Sequence, residues 1–118
     1  MFVERLSEIS SRIEGALALS LVAEDGITVE SVSSVPDLDL DLLAAEVVTQ
    51  VRAVGENHRE LEAGNVRQLT VATDRMTVMV SSASDSYYLV LVLAGGGSHG
   101  RARFELRRAR LLLEPDLA

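Results

Sequence analysis

The chain has 118 residues, no cysteine and a formal charge of −7, and all 11 of its basic residues are arginine. This length fits a single domain spanning residues 1–118, and 47% apolar with 25% charged residues argues against intrinsic disorder. The missing cysteines exclude disulfides, thiolate zinc sites and cysteine nucleophiles. The missing lysines exclude a P-loop lysine and Schiff-base chemistry.

Charge is distributed unevenly along the chain. Residues 1–62 hold 13 acids and four arginines, whereas residues 63–118 hold five acids and seven arginines. The net acidic charge argues against nonspecific nucleic-acid binding. The longest apolar run, Tyr87–Ala94, is far shorter than the about 20 residues that a membrane span needs, and the N-terminus lacks a signal-peptide core. We therefore expect a soluble, cytoplasmic protein with no membrane insertion.

The first half of the chain predicts a helix, a hairpin and a longer helix. A short amphipathic helix carries a periodic apolar stripe and ends at Gly15. Two strands, Ala16–Ala23 and Ile27–Val32, flank an Asp-Gly turn, a strong hairpin signal. Three aspartates then precede a helix over about 40–62, where they suit its N-terminal dipole. The expected apolar stripe of this helix is Leu43, Val47, Val51, Val54, His58 and Leu61.

The second half predicts three strands and a basic helix. The strands cover Val66–Thr73, Met76–Ser82 and Tyr87–Ala94, and the continuously apolar last strand is typical of a central strand covered on both faces. After a glycine-rich loop, the basic helix runs to about Leu113. The order α-ββ-α-βββ-α predicts an α+β fold with one five-stranded antiparallel sheet and flanking helices.

The glycine-rich loop, residues 95–100, matches two catalytic patterns. It contains G-x-G-x-x-G and G-x-S-x-G, but the chain is too short after it for a dinucleotide fold and lacks the triad order of a hydrolase. An enzyme using Ser98 and His99 is thus a weak competing hypothesis, and a flexible strand-to-helix connection is the simpler interpretation. We predict no catalytic residues and no cofactor.

Two further patterns raise the question of a metal. Asp37, Asp39 and Asp41 resemble the start of a calcium loop, but later positions of the motif are apolar, so an N-terminal helix cap is the better interpretation. His58 has no second ligand at helical spacing, which favours a packed core or interface histidine. We predict no metal site.

The strand Val66–Thr73 has little charge to protect it if it lies at a sheet edge, and an exposed edge invites pairing with a second chain. A two-fold dimer would satisfy it, and small residues on a flank of the long helix would permit close helix contact. The predicted dimer interface comprises Ala44, Val48, Gly55, Val66, Gln68 and Thr70.

The element order resembles the roadblock family (dynein light chain, roadblock type). Three segments carry the resemblance: the first hairpin Leu17–Ile27, the central helix Leu42–Val54, and the last strand and helix from Tyr87 to Ala109. Together they cover nearly the whole chain. The glycine-rich loop departs from the more polar connection typical of the family.

The resemblance is nearest to the prokaryotic gliding-motility branch, and it implies a noncatalytic homodimer that regulates a small Ras-like GTPase. It implies a sheet continuous across the dimer through the third strand, paired central helices, and modulation of GTP hydrolysis or exchange. The implied GTPase docking residues are Thr49, Arg52, Glu56 and Arg59. A small-ligand sensory domain of profilin-like architecture is the alternative, which the few aromatic residues disfavour.

Overall fold

The computed structural model describes residues 2–117 and confirms the predicted order of elements and fold class. The helices are α1 (Phe2–Ser11), α2 (Leu40–Glu60) and α3 (His99–Leu113), followed by a short 3-10 helix at Glu114–Asp116. The strands are β1 (Ala16–Ala23), β2 (Thr28–Ser33), β3 (Gln68–Ala72), β4 (Met76–Ser84) and β5 (Tyr87–Ala94).

The five strands form one antiparallel sheet in the order β2-β1-β5-β4-β3. The strand β5 lies at the centre, as its unbroken apolar run predicts. Because side chains alternate along a strand, its leucines and valines point to opposite faces of the sheet. Leu91 packs in a cluster with α1 and α3, whereas Val90 packs in a cluster with α2. The sheet is therefore covered by helices on both faces.

The turn between β1 and β2 confirms the hairpin prediction, and α2 packs against this turn. Gly26 has a φ of +89°, which favours glycine. A Cβ at this position would lie only 3.4 Å from the Cα of Ala45 in α2. The positive φ therefore favours glycine here, whereas a Cβ would make only an ordinary van der Waals contact with α2.

The long helix begins where predicted, and Asp39 caps it by accepting a hydrogen bond from the Leu42 amide at 3.1 Å. The predicted apolar stripe is wrong, because it is rotated around the helix axis relative to the face that is buried. His58 is exposed rather than packed in the core, and Leu61, just past the helix, is 77% exposed. The buried residues of α2 are Leu40, Ala44, Val47, Val48, Val51 and Gly55. The small residues among them let α2 lie close to the face of the sheet that carries the valines. The last turn of α2 projects beyond the sheet.

Candidate functional site

The strand β3 lies at an edge of the sheet, as predicted. Within residues 2–117 it pairs with β4 alone, so its outer backbone groups face solvent. Gln68 and Thr70 are half-buried and Val71 is exposed, whereas Val66 precedes the strand and packs against the core under α2. The strand thus presents a short, uncharged edge.

Two of the three α2 residues predicted for a dimer interface lie in the core of the single chain. Ala44 is fully buried and Val48 is 1% exposed. Gly55 is buried outside the core clusters, beside the Arg59 side chain. The sequence assigned Ala44 and Val48 to a lateral flank because the apolar stripe was set too far around the helix. A residue covered by its own sheet offers no surface to a second chain, so these two cannot pair the helices.

The flank of α2 opposite the β1–β2 turn is apolar. Ala45 lies against that turn. At about 100° per residue, Leu43 and Val54 lie on the other side of the helix, and both are half-buried. Leu61 continues the same line and is largely exposed. Leu43 packs against the same buried cluster as Leu69 of β3.

Three of the four predicted docking residues line one polar groove at the C-terminal half of α2. Arg52, Glu56 and Arg59 surround a volume of about 380 Å³, which Asn65 and Asp85 also line. We call it the α2 groove. Thr49 lies outside it, one turn earlier, and donates its hydroxyl to the Ala45 carbonyl oxygen at 2.9 Å. All four docking residues are exposed.

The α2 groove includes residues that sequence reasoning missed. Glu24 comes from the β1–β2 turn, Asn65 and Arg67 from the segment before β3, and Asp85 from the β4–β5 turn. Their charges mix with those of α2, so the groove carries both signs. No local pattern marks these residues, because they meet only when the two turns reach the same end of the sheet as the C-terminus of α2.

The residues with catalytic potential have structural partners. Ser98 caps α3, and its hydroxyl accepts a hydrogen bond from the Arg101 amide at 3.2 Å. The His99 Nε2 lies 3.2 Å from the Thr77 hydroxyl of β4. The glycine-rich loop therefore serves as the entry to α3. Across residues 2–117, no group of three or more potential metal ligands occurs, and no helix is long and apolar enough to cross a membrane.

Comparison with known proteins places this architecture in a family. The sequence model of the Roadblock/LC7 domain matches residues 3–93, more than three quarters of the chain. The chain belongs to the Roadblock/LC7 domain family. A comparison with curated proteins finds no match.

Solved structures of Roadblock/LC7 domains share the fold over almost the full chain. A Roadblock/LC7 domain from Streptomyces avermitilis has a TM-score of 0.86 at 20% identity, covering 95% of this chain and 93% of that one. The gliding protein MglB from Thermus thermophilus has a TM-score of 0.81 at 23% identity, with coverages of 92% and 82%. MglC from Myxococcus xanthus has a TM-score of 0.71 at 29% identity and covers 98% of each chain.

Proposed function

We propose that this Roadblock/LC7 protein is a noncatalytic, cytoplasmic homodimer that binds a small Ras-like GTPase and modulates its GTP hydrolysis or nucleotide exchange. The observation that carries the proposal is the uncovered edge of β3, on a sheet whose covering helix α2 also has a partly exposed apolar flank. A second copy of the chain could satisfy both, by continuing the sheet at β3 and by packing a second α2 against the first.

The dimer would pair β3 with its copy in antiparallel orientation. A two-fold axis near the middle of the strand would place Thr70 opposite its own copy, with Gln68 close by. The α2 helices would then meet along Leu43, Val54 and Leu61. This arrangement keeps the predicted strand residues of the interface and replaces the predicted helix residues, which are buried within the single chain.

The GTPase would dock on the exposed side of α2. Thr49, Arg52, Glu56 and Arg59 are exposed, and none of them is among the residues proposed to pair in the dimer. Their mixed charges suit a polar, transient protein interface. The resemblance to the gliding-motility branch supports a Ras-like GTPase as the partner, and the likeness to MglB and MglC supports that branch.

A binding and turnover experiment tests the proposal. The protein is mixed with a Ras-like GTPase from the same genome, loaded with GDP or with a GTP analogue, and complex mass is measured by light scattering after size-exclusion chromatography. We expect a complex that prefers one nucleotide form, together with a changed rate of GTP hydrolysis or nucleotide release. Absence of binding to both forms, with no change in either rate, would refute the proposed function.

A matched pair of charge reversals localises the docking surface. Arg59→Glu should weaken GTPase binding about tenfold, since a reversed charge in the α2 groove opposes the partner. Arg75→Glu changes the net charge by the same amount at the opposite end of β4 and should leave binding unchanged. Equal effects of the two substitutions would show that only the overall charge matters, and would move docking away from α2.

A further inference from the structure

A second groove lies on the other face of the sheet, between α3 and the β3 edge. The helix α3 packs on β4 and leaves the adjacent strand β3 open on this side. The resulting groove encloses about 790 Å³, and its lining includes Arg67, Gln68, Ser81, Phe104, Arg107 and Leu111. We call it the α3 groove. Its main wall, α3, lies on the face opposite α2, but the two grooves meet at one end of the sheet, where they share Arg67, Ser82 and Arg110.

The α3 groove is strongly basic. Five arginines line it, and none of the described residues in its lining is acidic. Of these five, Arg110 pairs with Glu114 at 3.2 Å. Outside the groove, Arg101 lies 3.8 Å from Glu105. The remaining groove arginines make no side-chain hydrogen bond or ion pair within residues 2–117. They are Arg67, Arg103, Arg107 and Arg108.

Apolar side chains stand among these free charges. Phe104 is 51% exposed and Leu111 is 75% exposed, although both are large hydrophobic residues. They are seven residues apart on α3, which is two helical turns or about 10 Å. Arg107 and Arg108 lie between them. Apolar and positively charged side chains therefore alternate along this face of α3, at intervals of three to four residues.

We propose that the α3 groove binds an acidic, amphipathic helical segment of a partner protein. A helix with apolar residues seven apart would place them beside Phe104 and Leu111, and acids three or four residues later would face Arg107 and Arg108. Unpaired arginines at a concave surface favour carboxylate partners, because the planar guanidinium binds them with two hydrogen bonds. The concave shape favours a helix over a flat anionic membrane, and the chain's net charge of −7 opposes such a membrane.

The two faces of the sheet would then have different partners. A GTPase on α2 and an acidic helix on α3 would adjoin at Arg67, Ser82 and Arg110, which line both grooves. The chain would bring the GTPase next to the protein that carries the helix. This inference does not depend on GTPase binding, although the β3 side of the α3 groove adjoins the proposed dimer interface at Gln68.

A designed peptide tests the inference. The probe is a fluorescent helical peptide of about five turns, with leucine at every seventh position and glutamate three and four residues after each leucine. A second peptide carries lysine in place of each glutamate. Fluorescence anisotropy with the full chain should show binding of the glutamate peptide, weakened by added salt, and no binding of the lysine peptide.

Variants of the chain show whether the peptide occupies the α3 groove. Arg107→Glu and Phe104→Ala should each weaken peptide binding about tenfold, whereas Arg75→Glu should leave it unchanged. Circular dichroism checks that each exposed-site variant is folded. Failure of the wild-type chain to bind the glutamate peptide would overturn the inference, as would equal loss in Arg107→Glu and Arg75→Glu. If the chain fails to bind the peptide but sediments with phosphatidylserine vesicles, and Arg107→Glu abolishes that sedimentation, the α3 groove binds a membrane surface instead.

Discussion

The side chain of Arg52 in α2 donates a hydrogen bond from Nη1 to the backbone carbonyl oxygen of Glu24, at 2.9 Å. The bond joins the long helix to the β1–β2 turn, 28 residues earlier in the chain. Arg52 therefore has a structural role in addition to its place in the proposed docking surface. Arg59, about two turns further on, makes no side-chain bond within residues 2–117.

This difference predicts different outcomes for two similar substitutions. Arg52→Ala should lower the free energy of unfolding by about 1 kcal/mol, because the Glu24 carbonyl loses its partner. Arg59→Ala should change it by less than about 0.5 kcal/mol. Urea unfolding followed by circular dichroism measures both. If the two variants unfold at the same urea concentration, the Arg52 bond contributes nothing, and both residues serve equally well as tests of GTPase docking.

A charge placed on the β3 edge should separate the proposed dimer. Thr70→Arg would place two arginines directly opposite each other across the two-fold axis, with Cβ atoms about 5 Å apart, so like-charge repulsion makes self-pairing unfavourable. Light scattering should then report the 12.7 kDa chain instead of twice that mass. Ser31→Arg is the matched control on β2, at the other edge of the sheet, and should remain dimeric. The reverse result, with Ser31→Arg monomeric and Thr70→Arg dimeric, would assign the interface to β2.

Two glycines with positive φ separate two contributions to stability: the backbone conformation of the turn, and the contact between the turn and α2. Gly26→Ala and Gly64→Ala both force alanine into the left-handed region, at about 1 kcal/mol each. A Cβ at Gly26 also meets Ala45, whereas a Cβ at Gly64 meets nothing within 4 Å. Because the contact with Ala45 is at ordinary van der Waals distance, we expect the two variants to lower the melting temperature to a similar extent. A clearly larger loss in Gly26→Ala would show that packing against α2 adds a cost of its own.

Substitutions at Ser98 distinguish a helix cap from a nucleophile. Ser98→Ala removes the acceptor for the Arg101 amide and should destabilise the protein by about 1 kcal/mol. Ser98→Asp retains an acceptor and should restore stability, although it removes the hydroxyl. Guanidinium unfolding provides the measurement. A hydrolytic activity that both variants abolish would contradict the structural role and revive the enzyme hypothesis.

Much of the fold could be predicted from local pattern. The bounds of β1 and β5, the cap at Asp39, the glycine turn at 26 and the central place of β5 all depend on short-range periodicity or on one residue's backbone preference. The edge position of β3 was raised from the sequence as a hypothesis, because the strand follows directly on the long helix, and the structure confirms it. The candidate docking residues of α2 were implied by the family resemblance, and Asn65 and Asp85 were not among them.

By itself, the sequence determined the elements, their order and the three regions that matter: the β3 edge, the polar face of α2 and the basic α3 helix. Each is a local property of neighbouring residues. Only the tertiary structure decided how α2 is rotated on the sheet, burying Ala44 and Val48 and exposing Leu61. Helical periodicity leaves a helix several similar apolar settings, and packing against the valines of the sheet occupies one of them. The two grooves likewise exist only in the tertiary structure, because each joins side chains from segments that are far apart in the chain.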